Sequence, residues 1–139
     1  MIDVENYVYT QVRNAVLAAF SNTDVSSEYT ETPAAFPHVC LEMTDNTVIS
    51  SFMTAEKREF ATEQTFTANI FTNTATAKTD AKKLAEIVDR TMSGMGFRRS
   101  MYLRTPNIDR TIYRLTLRYT GIVSTAYDEA AGHYNITAR

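Results

Sequence analysis

Between Thr111 and Val123 the chain alternates with strict period two. Tyr113, Leu115, Leu117 and Tyr119 fall on one parity, and Arg114, Thr116, Arg118 and Thr120 on the other. Successive side chains of a strand leave opposite faces of the pleat, so this pattern predicts a strand with one buried face. The second face, which carries arginine, is wet or contacted. No helix can bury such a pattern on one side, so the chain is committed to a sheet.

The residues upstream complete a helix-and-hairpin block. Thr76 and Thr79 are candidate N-caps for a helix running through Met92, with Gly94 and Gly96 as its stop. Its apolar stripe is Ala77, Ala81, Leu84, Ala85, Val88 and Met92, and Lys78, Lys82, Lys83, Glu86, Asp89 and Arg90 form the solvated side. Phe97 to Leu103 reads as a strand, Pro106-Asn107-Ile108-Asp109 as a turn, and Thr111 to Val123 as the return.

The first half begins with a second amphipathic helix, Asp3 to Ser21. Val4, Val8, Val12, Ala15, Val16 and Ala19 share one face, and Asp3 can cap. Val25 to Thr30 is a short strand candidate. The segment from Glu31 to Pro37 is a loop, because Pro33 and Pro37 oppose both helix and central strand. His38 to Thr44 is extended, Asp45-Asn46 is a possible turn, and Val48 to Phe52 is a further strand candidate. Met53 to Ala61 is a charged hairpin tip or short helical turn, and Glu63 to Phe71 is a strand with Phe66, Ala68 and Ile70 inward. After Val123 the sequence becomes polar, punctuated by Tyr127 and Tyr134, and reads as a loose tail that orders on a partner.

The expected fold is therefore α+β: a two-layer domain, with a mostly antiparallel sheet packed by the N-terminal helix and the central helix. Residues 1–124 form that single domain and 125–139 an extended C-terminal tail. The length of 139 residues suits one domain with a real core. The 21 threonines favour strands and turns. No apolar run approaches the roughly 18 residues of a membrane span, and no signal peptide is expected from the first residues. The single cysteine, Cys40, precludes an internal disulfide and fits a reducing compartment.

Charge is distributed unevenly. Residues 1–69 hold three basic and ten acidic residues, a net −7, and residues 70–139 hold eleven basic and six acidic, a net +5. Such a chain suits head-to-tail association, provided the sequence halves are also halves in space.

Chemistry is hard to find. The four glycines form no phosphate loop, and Gly94-Met95-Gly96 is not followed by a Lys-Ser/Thr pair. His38 and Cys40 share a strand face, but with only His133 to add they make no zinc site; a buried cysteine beside a surface or loop histidine is expected. No nucleophile has a positioned base. The protein is not expected to be an enzyme or to carry a cofactor or metal.

The arginines point elsewhere. Arg98, Arg99 and Arg104 flank or lie in the penultimate strand, and Arg110, Arg114 and Arg118 lie along the last. By parity, Arg98 pairs with Arg104 and Arg114 with Arg118. A face striped this way binds a phosphate backbone, meets an acidic subunit surface, or is solvated. Subunit contact is the preferred reading, since the chain is not basic overall. Lys57 and Arg58 in the tip, and Tyr127 and Tyr134 in the tail, are further candidate contacts.

Four strings of the second half carry a family resemblance. They are Ala85-Glu86-Ile87-Val88-Asp89, Met92-Ser93-Gly94-Met95-Gly96-Phe97, Pro106 through Leu115, and Arg118-Tyr119-Thr120-Gly121-Ile122-Val123. With the N-terminal helix, Ser27-Glu28-Tyr29 and the Pro33–Pro37 loop, they resemble the tail-terminator or tail-completion proteins of tailed bacteriophages over about residues 2–124. The resemblance implies an α+β subunit of a homo-oligomeric ring, commonly a hexamer, in the tail–neck region of a virion assembled in the host cytoplasm. Such a ring caps the tail-tube protein, offers a surface to the head connector, and lets DNA through its lumen only as cargo. A neck or head-completion adaptor is the alternative within the same class. A small nucleic-acid-binding regulator using the arginine face is the alternative outside it.

Overall fold

The computed structural model describes residues 1–30, 32–49, 61–128 and 133–137. The elements are α1 (Glu5–Ala19), β1 (Asp24–Ser26), β2 (His38–Val48), β3 (Ala61–Thr72), α2 (Ala77–Met95), β4 (Arg98–Arg104), β5 (Tyr113–Asp128) and β6 (His133–Thr137). The six strands form one sheet in the order β1-β2-β3-β5-β4, with β6 paired to β5. Only β1–β2 is parallel; every other pair is antiparallel. This is the α+β architecture expected, with both helices on one face of the sheet.

The helices form because their apolar residues recur at helical spacing. Val8, Val12 and Val16 of α1 are buried, as are Ala81, Leu84, Ala85, Val88 and Met92 of α2. Valine is a modest helix former, so α1 owes its stability to what it covers. It packs over β2, while α2 packs over β3, β4 and β5. Beneath them lie Val39, Leu41, Phe66, Ala68, Ile70, Leu115, Leu117, Tyr119 and Val123. The Asp3 carboxylate accepts the backbone N–H of Glu5 at 2.9 Å. At α2, the Thr74 and Thr76 hydroxyls donate to Asp80 at 3.0 and 2.9 Å, which ties down the first turn.

Several boundaries differ from the sequence reading. The helix α2 passes straight through Gly94 and ends at Met95, with Gly96 alone as its left-handed cap at φ 112°. Asp45-Asn46 is no turn: β2 continues through both and absorbs one extra residue between Met43 and Asp45. The supposed loose tail is largely sheet. Strand β5 runs on to Asp128, and residues 133–137 return alongside it, with Val123 opposite Ile136 and Tyr127 opposite Tyr134. Alternating apolar residues there are few, so period-two patterning gave little warning. The expected strand beyond residue 49 and the charged tip at 53–60 lie outside the described residues.

Two glycines explain how β6 docks. A Cβ on Gly96 would run into the backbone carbonyl of Ile136, whose carbon lies 2.8 Å from that position. A Cβ on Gly121 would strike the Phe97 ring at 2.7 Å and Ile136 Cγ2 at 3.1 Å. Gly121 sits where β5 changes partner, since Thr120 faces Arg98 of β4 and Ile122 faces Thr137 of β6.

The second face of the sheet is not simply wet. The chain from Ser26 to Tyr29 lies over part of it, with the Glu28 carbonyl on the Cys40 thiol and the Tyr29 ring against Arg114, and His38, Cys40, Asn69, Phe71 and Thr116 are buried there. The Phe36–Pro37 peptide is cis.

Candidate assembly surface

The strand order turns the charge asymmetry of the sequence into a spatial one. Strands β1, β2 and β3 come from the acidic half and occupy one side of the sheet; β5, β4 and β6 come from the basic half and occupy the other. The seam is the β3–β5 ladder, in which Phe66 faces Tyr119 and Thr67 faces Arg118.

The arginines do not form one stripe. A bulge between Arg99 and Met101 shifts the β4 register, so Arg98 faces Thr120 whereas Arg104 faces Leu115. Arg98 therefore lies on the outer face, away from the helices, with Arg118. Arg104 lies on the helix face, its guanidinium 4.8 Å from the centre of the Tyr113 ring. The parity argument fails because one inserted residue inverts every side chain beyond it. Arg98, Arg104, Arg110 and Arg118 are all exposed.

Arg114 is a fold residue. Its Nε and Nη2 donate to Asn69 Oδ1 at 3.1 and 2.9 Å, and the guanidinium sits 5.3 Å from the Tyr29 ring centre and 5.4 Å from that of Phe71. Thr116 donates to the same Asn69 oxygen at 2.9 Å. Arg114 is thus a clamp that holds the covering segment to the sheet, and Arg118 is the better probe of the outer face. Tyr134 is also engaged internally, edge-on to Tyr7 of α1 at 5.1 Å. Tyr127 contributes its backbone to the β5–β6 ladder. Lys57 and Arg58 lie outside the described residues.

Two polar clusters escaped the sequence reading. In the first, the buried Tyr119 hydroxyl donates to Asp89 Oδ1 at 2.9 Å, and Arg99 Nη1 donates to the same oxygen at 3.2 Å. Burial, together with the Asp89 carboxylate, pushes the Tyr119 phenol well above its ordinary range. The cluster joins α2 to β5 and β4, and its Asp89 and Arg99 line a cleft of about 230 Å³ with Lys82, Glu86 and Tyr102. No sequence pattern links residues 10 and 30 positions apart.

In the second cluster, His38 Nδ1 meets Asp24 Oδ2 at 3.0 Å and Nε2 meets Ser26 Oγ at 3.1 Å. His38 is buried, not the surface or loop residue expected. The Glu28 carbonyl accepts from both Ser26 Oγ at 3.0 Å and Cys40 Sγ at 2.8 Å. Ser26 Oγ thus bridges the Glu28 carbonyl and His38 Nε2, and the set pins the covering segment to β2. Burial pushes the Cys40 thiol up to about 11. Alkylation of native protein by iodoacetamide at pH 8 should therefore run roughly 100-fold or more below the unfolded rate, since the thiolate reacts. Mass spectrometry of timed reactions checks this; comparable rates would show the thiol to be open.

No family model matches the chain, and no curated protein does. Among solved structures, a chain from the virion of a native gene transfer agent particle has the same fold. The TM-score is 0.58 and the identity 22%, over 81% of this chain and 88% of that one. The likeness is one of fold.

Proposed function

We propose that this protein is a structural subunit of a virion and, within it, a tail terminator. Copies close into a ring, commonly of six, that caps the tail tube and presents a joining surface to the head connector. The observation that carries the reading is the backbone likeness to a virion chain over 88% of that chain's length. The resemblance of residues 2–124 to tail terminators supports the finer assignment. The opposed charge of the two sheet sides supports head-to-tail contact, the kind that closes into rings under rotation.

Native mass spectrometry and electron microscopy of the purified chain, alone and mixed with isolated tail tubes, test the proposal. Rings in either sample are expected; a monomer in both overturns it. Co-sedimentation with isolated heads in place of tails would reassign the subunit to the neck. Binding to free DNA that collapses with added salt would favour the nucleic-acid reading instead.

A further inference from the structure

Two strand edges lack a backbone partner among the described residues. The first is β4, which ends the sheet and pairs only with β5. It is seven residues long and almost wholly exposed, with Tyr102 and Leu103 each at 44%. The second is the far part of β2. Strand β1 covers only His38 to Cys40, so β2 from Leu41 to Val48 has β3 on one side and no strand on the other. An uncovered edge is a template for pairing with another chain. β1 itself is short, and the Tyr9 hydroxyl occupies its Val25 carbonyl at 2.9 Å.

The two open edges are matched in direction, length and charge. Strand direction alternates across β2, β3, β5 and β4, so β4 runs antiparallel to β2. A second copy placed beside the first in the same orientation would add its β4 to β2 in antiparallel fashion. On the outer face, β4 and its neighbour β5 present Arg98 and Arg118. On the same face β2 presents Glu42 and, beyond its bulge, Asp45, which faces Thr65. Acid lies along that edge: partial burial, and then the Asp3 and Glu42 carboxylates, raise the Glu5 carboxyl above its usual range.

We infer that the β4 edge of one copy pairs with the Leu41–Val48 edge of β2 in the next, so that the sheet continues from subunit to subunit. This rests on the ring reading above and names its interface.

The test compares wild type with three variants of the full chain: R98E/R118E, E42K/D45K, and the chain with all four substitutions. Circular dichroism first confirms that each keeps the wild-type fold, as expected for side chains on the sheet surface. Native mass spectrometry should show loss of the ring in each double variant and its return in the fourfold variant, where the charges are exchanged. Rings in both double variants would overturn the edge pairing and leave the ring reading intact. Loss without restoration would also overturn it, because the four side chains would then matter for another reason. A wild type that stays monomeric with and without tail tubes would remove the ring reading, and the interface with it.

Discussion

Phe66→Ala should lower the unfolding free energy by about 3–5 kcal/mol, the range for deleting a fully buried aromatic ring. Phe66 is completely buried and stands edge-on to Phe97, with ring centres 5.3 Å apart. Its register partners are Met43 on one side and Tyr119 on the other, so the ring sits at the middle of the sheet. The surrounding groups belong to three strands and cannot close the gap without bending the ladder, so much of the cavity would persist. Urea unfolding followed by circular dichroism measures the loss, with an unchanged m-value marking an unchanged unfolded state. A shift below about 1 kcal/mol would mean that the site collapses readily and that this core is not the one holding the sheet.

The second large effect separates two glycines that look alike in sequence. Gly96→Ala should cost about 1–3 kcal/mol from the left-handed backbone alone, and its Cβ would displace the Ile136 carbonyl. Strand β6 should then detach, so hydrogen exchange at 133–137 should accelerate more than the rest of the sheet. Gly94→Ala should do the reverse. Nothing lies within 4 Å of a Cβ there and the residue is helical, so roughly 0.5–1 kcal/mol of stabilisation is expected. Equal effects of the two substitutions would show that β6 does not depend on Gly96.

The contrast shows where sequence reasoning stops. Both glycines stand at the end of a helical pattern, and a stop signal is a fair inference for each. Only Gly96 bears the close approach of another strand, and that strand comes from residues 40 positions later. Arg114 and Arg118 offer a second case. They share a parity and a residue type, yet Arg114 is held by Asn69, Tyr29 and Phe71 while Arg118 is exposed. The difference lies in the segment that crosses over Arg114, whose path no local pattern encodes. The bulge at Arg99/Met101 is a third case, since a one-residue insertion leaves no mark on composition but moves Arg104 to the other face.

What the sequence determined by itself was the periodicity of its main elements, which depends on near neighbours. Periods of two and 3.6 placed both helices and the main strands, because burial of one face acts residue by residue along an element. The charge imbalance between halves was also present in the sequence. Tertiary structure decided what that imbalance means. The order β1-β2-β3-β5-β4 keeps the two halves apart and puts acid at one open edge and arginine at the other. Strand order is settled by long-range pairing and loop closure, which no window of neighbouring residues contains. The same long-range pairing seated β6 on Gly96 and Gly121 and gathered Tyr119, Asp89 and Arg99 into one cluster.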